Sequence, residues 1–197
     1  MDYEQETTHE TDMPFVPPPK WPKVIGVISI VLAGLGLVCG GFSAVGALML
    51  PKIMEGPLDG DPLPPTMQFG MIDYAVMGIG TILTVVLLFA GIMLVGRRPV
   101  ARPMHLVYAV CSMPLTLINM VRQFDKQGAM AQWAQDYPDN PIAQGVNQGG
   151  QGQAIGEAVG LVIGLGLGLG IPLFYFVWFA AIKTKPEQIT GSEEGVY

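Results

Sequence analysis

Four stretches of this chain are apolar over far more residues than a soluble core element needs, and polar or proline-bearing segments separate them. The runs cover residues 24–50, 71–95, 104–121 and 154–182, with their few charges near the ends. A bilayer core of about 30 Å takes roughly 20 apolar residues to cross as a helix. Backbone polar groups in lipid must also be satisfied within the protein, which a helix does by itself. The pattern therefore predicts an all-α integral membrane four-helix bundle, up-down-up-down, with no soluble domain. Residues 1–23 and 183–197 are polar and predict disordered tails.

The connecting segments differ from one another. Residues 51–70 are acidic and proline-rich, and residues 96–102 form a short basic turn, GRRPVAR. In residues 122–153, Phe124, Met130, Trp133 and Tyr137 fall near one helical face. That spacing predicts a short helix lying in the membrane interface, ended by DYPDNP. The following QGVNQGGQGQ is low in complexity. No loop reaches the roughly 40 residues that a self-standing domain needs.

Composition supports the spans, since half of the residues are hydrophobic and only 13% are charged. Soluble domains carry about 25% charged residues. The net charge of −6 matters less than its placement. Seven Lys and Arg flank the side holding both tails and the 96–102 turn, against three on the other side. Cytoplasmic flanks carry that excess, so both termini are expected in the cytoplasm, and a bacterial inner membrane is the expected location. The acidic start of the chain does not read as a secretory leader, so the first span is expected to be retained. No basic stripe suits nucleic acid.

Glycine recurs every fourth residue along the last span, at Gly152, Gly156, Gly160, Gly164 and Gly168. In lipid, helices associate largely through close backbone approach, which small residues permit. The ridge is therefore expected to pack against a helix of this chain or of another copy. Gly36, Gly40 and Ala44 repeat the pattern in the first span. Pro172 predicts a kink near Gly168, because a proline ring opposes the carbonyl four residues back. The aromatic run from Phe174 to Phe179, with Trp21, suits either an interfacial belt or packing.

Polar groups inside the spans are few. His105 is expected at the interface beside Arg102, and Asn119 at the opposite end of its span. Cys39 and Cys111 are expected at depths differing by about 12 Å, too far for a disulfide. Asp73, Arg122 and Glu157 share one boundary level and form a candidate charge cluster. The acids of LDGDP at 58–62 read as a solvated turn rather than a calcium site. No nucleotide, hydrolase or zinc spacing is present. No catalytic residue, cofactor or metal site is therefore expected.

The segment KWPKVIGVISIVLAGLGLVCGG, residues 20–41, resembles the start of small bacterial multi-span membrane proteins. In these a proline-rich tail meets a Trp-Pro and then a Gly- and Ile-rich helix. The resemblance covers about a tenth of the chain and implies no activity. The layout also resembles tetraspanins and claudins, but the loop cysteines of those families are missing. The expected function is non-enzymatic: an accessory subunit or assembly factor that packs in lipid with itself or other membrane proteins. The alternative is a small oligomeric transporter or channel, its path lined by Thr81, Thr84, Ser112, Thr116 or Asn119.

Overall fold

A computed structural model describes residues 19–54, 60–182 and 189, with backbone only at 150–155, 157 and 158. Five helices follow in order: α1 (Trp21–Met54), α2 (Met71–Val95), α3 (Ala101–Asp136), α4 (Pro141–Gln148) and α5 (Gly150–Val177). A 3-10 turn at Pro65–Met67 precedes α2, and a π turn, Trp178–Ile182, ends α5. No strand occurs among the described residues. Four helices are long and apolar enough to cross a membrane: α1, α2, α3 and the stretch Val159–Ile182. The fold is thus an all-α arrangement of four long apolar helices plus the short α4.

The long helices pack in sequence order, α1 along α2, α2 along α3 and α3 along α5. The start of α1 and the end of α5 meet through Trp21 and Trp178, whose rings are edge-on at 5.9 Å. This end is called the terminal end below, and the opposite one the loop end. The main core lies at the terminal end, where Ile25, Leu94, Ala101, Tyr175 and Phe179 are buried together. Ile189, the one described residue of the C-terminal tail, is buried in the same cluster. Tyr175 and Phe179 face inward while Phe174 and Phe176 are exposed, so the aromatic run is split between packing and surface.

Helices α1 and α2 cross with their backbones in contact. A Cβ at Gly26 would stand 2.8 Å from the Gly91 carbonyl oxygen, and one at Gly91 would stand 2.8 Å from that of Gly26. The absence of both side chains is what lets these backbones touch. The turn after α2 closes as a Schellman pair: Arg98 N–H donates to Met93 O and Arg97 N–H to Leu94 O. Arg97 takes the left-handed conformation (φ 56°) that glycine usually supplies there. Its guanidinium donates to the Pro19 carbonyl at 2.8 Å, tying the N-terminal segment to this turn.

A separate interfacial helix does not form. The stretch carrying Phe124, Met130, Trp133 and Tyr137 continues α3 without a break. Nothing between Val121 and Asp136 interrupts the backbone ladder, and Pro138 and Pro141 come only afterwards. The aromatic face is used locally instead: Trp133, Ala134 and Ala143 form a second small core, flanked by Met54, Leu63 and Tyr137. Trp133 Nε1 donates to the Pro62 carbonyl at 3.1 Å. Asn140 caps α4 by accepting from Ile142 N–H and donates to Asp61 at 2.9 Å. Asp61 thus anchors a cap; the other acid of LDGDP, Asp59, lies outside the described residues.

Candidate functional site

Three polar assemblies stand out, one at each end of the bundle and one in a groove between α3 and α5. At the terminal end, Ser29 of α1, His105 of α3 and Tyr175 of α5 meet in the core. Ser29 Oγ is 3.1 Å from His105 Nε2 and 2.8 Å from Tyr175 Oη. His105 Nδ1 is 2.8 Å from the Ala101 carbonyl. A carbonyl only accepts, so Nδ1 carries a proton, and in a neutral ring Nε2 then accepts. Ser29 Oγ also lies 2.9 Å from the Ile25 carbonyl. Its single proton therefore serves Nε2 or Ile25 O, and Tyr175 donates to Oγ. The imidazole stacks on Phe179 at 4.7 Å.

His105 is fully buried among the helices. Its partners come from two other helices, which close over it. A serine beside a histidine also suggests a nucleophile and its base, but Ser29 has no accessible surface. The chemistry of this trio is to fasten three helices together. Arg102 reinforces it by donating to the Phe179 carbonyl at 3.0 Å. Trp178 Nε1 is buried nearby, with no hydrogen-bond partner among the described residues.

At the loop end, Asp73 accepts three hydrogen bonds and pairs with two cations. Its Oδ1 accepts from Arg122 Nε at 3.1 Å and pairs with Nη2 at 3.0 Å. Its Oδ2 accepts from Gly70 N–H at 2.8 Å and from Lys126 at 3.1 Å. Lys126 also donates to Gln68 O at 2.8 Å and lies over the Phe69 ring. An acid in the first turn suits the helix dipole, and here it joins α2 to α3 and to the loop before α2. Asp73 and Arg122 therefore pair as expected; the side chain of Glu157 lies outside the described residues, and the second cation is Lys126.

The third assembly is a groove of about 580 Å³ between α3 and the loop-end half of α5. Gly156, Gly160, Gly164 and Gly168 form one wall. Asn119, Gln123, Phe124 and Gln127 stand on the α3 wall, and Thr116 lies at the deep end. Thr116 Oγ1 is 3.0 Å from the Gly168 carbonyl, closing the groove there. The predicted packing ridge thus behaves in two ways. Gly168 is in contact, since a Cβ there would meet Thr116 at 2.8 Å, whereas Cβ atoms at Gly156, Gly160 and Gly164 would meet no described atom. In α1, Gly36 faces Thr84 at 3.0 Å, while Gly40 is open.

Most hydroxyls proposed as pore lining are engaged with their own helices. Thr81 donates to Met77 O, Thr84 to Gly80 O and Ser112 to Ala109 O. Cys39 and Cys111 are free and exposed. No group of three or more His, Cys, Asp or Glu suited to a metal occurs among the described residues. The Gly26–Gly91 crossing and the Ser29–His105–Tyr175 trio were not anticipated; lone small residues carry no repeat to mark them. No protein-family model, curated protein or solved structure matches this chain.

Proposed function

We propose that this is a non-enzymatic multi-span membrane protein that acts through association in the bilayer, as an accessory subunit or assembly factor. One observation carries the reading: glycines are spent on surfaces its own chain leaves open. A Cβ at Gly34, Gly40, Gly41 or Gly46 of α1 would meet no atom of the described residues. Each glycine in a helix interior costs about 1 kcal/mol relative to alanine, and close approach by a partner is the return such positions give in lipid. The partner is a second copy or another membrane protein.

Native mass spectrometry after gentle extraction tests this. The expected result is an assembly heavier than one chain that dissociates when Gly40 and Gly41 are both replaced by leucine. A single chain with no bound protein at every detergent concentration overturns the reading. The bacterial inner membrane with cytoplasmic termini belongs to the same proposal, supported by the seven-to-three placement of Lys and Arg. In a background lacking Cys39 and Cys111, a cysteine at Arg98 is expected to resist an impermeant thiol reagent in intact cells. A cysteine at Asp125 is expected to react.

A further inference from the structure

The α3–α5 groove has a depth, a polarity gradient and a closed end, and together these point to one occupant. From Gly156 to Gly168 is twelve residues, about 18 Å along a helix. Half of a bilayer, headgroups included, is about 20–22 Å. The groove therefore runs the depth of one leaflet. It stops where Thr116 bonds the Gly168 carbonyl, near the middle of the α5 span.

Its two ends differ in chemistry. The deep end is walled by glycine backbone, leucine side chains and the methyl of Thr116. Toward the loop end stand the amides of Asn119, Gln123 and Gln127, at the level of the Asp73–Arg122 pair and just beyond it. None of the three makes a side-chain hydrogen bond among the described residues. Asn119 lies three residues to the membrane side of Arg122. An unpaired amide at that depth costs several kcal/mol in hydrocarbon. Among the described side chains the lining carries no charge, and Arg122 and Lys126 turn to Asp73 instead.

We propose that this groove is a binding site for one bilayer lipid of the loop-side leaflet. Its acyl chain lies along the Gly156–Gly160–Gly164 trough, and its ester and glycerol oxygens accept hydrogen bonds from the three amides. The volume falls within the roughly 300–1,000 Å³ of small-molecule sites. A crossing helix is the poorer fit: it would run the full thickness and be seated over only half of it. The open side of the groove is continuous with the apolar surface of both helices, through Leu117 and Val121 on α3 and Val159 and Ile163 on α5. A lipid thus enters sideways from the bilayer. The site does not depend on the association reading, which retains the open glycines of α1.

The test uses the full chain in phosphatidylcholine bilayers containing a trace of phosphatidylcholine spin-labelled near the end of one acyl chain. The expected result is a motionally restricted component, over that of ordinary boundary lipid, equal to about one lipid per chain. Gly160→Leu and Gly164→Leu are expected to abolish it. A Cβ at either position meets no described atom and the rest of the leucine extends into the open groove, so thermal stability is expected to hold. Gly166→Leu, outside the groove lining, is expected to retain the component. Asn119→Leu with Gln123→Leu is expected to weaken it by tenfold or more. Absence of the component in the wild type, or its persistence in both groove variants, overturns the proposal. So does rapid disulfide formation between chains bearing Gly160→Cys on a background without Cys39 and Cys111, because a second copy would then fill the groove. Assembly mass is read on the same samples: lipid loss with the assembly intact separates this site from the association reading.

Discussion

Thr116 Oγ1 lies 3.0 Å from the carbonyl of Gly168, the carbonyl that Pro172 deprives of its helical donor. Pro172 has no N–H to offer four residues back, and in lipid no water replaces it. A hydroxyl from the neighbouring helix takes that place, shared with the Ser112 carbonyl at 2.9 Å. The helix accordingly runs through Pro172 to Val177. Thr116→Val is expected to cost about 1 kcal/mol. In a Pro172→Ala background the carbonyl regains its own donor, so the same substitution is expected to cost less. A double-mutant cycle on unfolding in detergent measures the difference, and strict additivity would separate the two residues.

The terminal-end trio predicts an order of effects. Tyr175→Phe removes one donor and leaves Ser29 its bond with His105, for about 1 kcal/mol. Ser29→Ala strands both the Tyr175 hydroxyl and His105 Nε2 in a dry core, for about 2–3 kcal/mol. Equal losses in the same unfolding assay would show that Ser29 is not the hub.

At the loop end, Asp73 matters more than either cation. Arg122→Ala leaves Lys126 on the carboxylate, whereas Asp73→Asn leaves two partly covered cations side by side. Asp73→Asn is expected to destabilise by about 1 kcal/mol more than Arg122→Ala, with the gap narrowing in high salt. Thermal midpoints at low and high ionic strength read this out.

The two kinds of glycine predict opposite signs. Gly91→Val forces α1 and α2 apart and is expected to cost about 2 kcal/mol or more. Gly164→Ala meets nothing and is expected to raise stability by about 0.5–1 kcal/mol through helix propensity. A loss at Gly164 in the isolated chain would mean that α5 is already packed there.

The long apolar runs made the four helices legible, because length and lack of charge are local properties. The Asp73–Arg122 pair was legible too, since both sit at the same boundary of consecutive spans. Partner identity was not. The Gly156–Gly168 periodicity marks a face, yet only the course of α3 decides that Gly168 is covered and Gly160 is not. His105 lies near the end of its run, and counting residues gives its level along the helix but not whether other helices cover it. Its burial depends on Ser29 and Tyr175, which are 76 and 70 residues away in the chain. Trp133 likewise shows a helical face, but its neighbours Leu63 and Ala143 arrive from two other segments.

The uninterrupted course of α3 gives the molecule a lever. Its terminal end is held at His105 by α1 and α5, and Trp133 lies 28 residues further on, about 42 Å along the axis. Membrane helices adopt tilts over a range of roughly 0–40° according to bilayer thickness and packing. A change of only about 5° in α3, pivoting at His105, would carry Trp133 sideways by about 4 Å, with the 60–70 segment and α4 packed against it. A change of tilt in α3 would thus be amplified into a displacement of the small cluster around Trp133, far from the pivot.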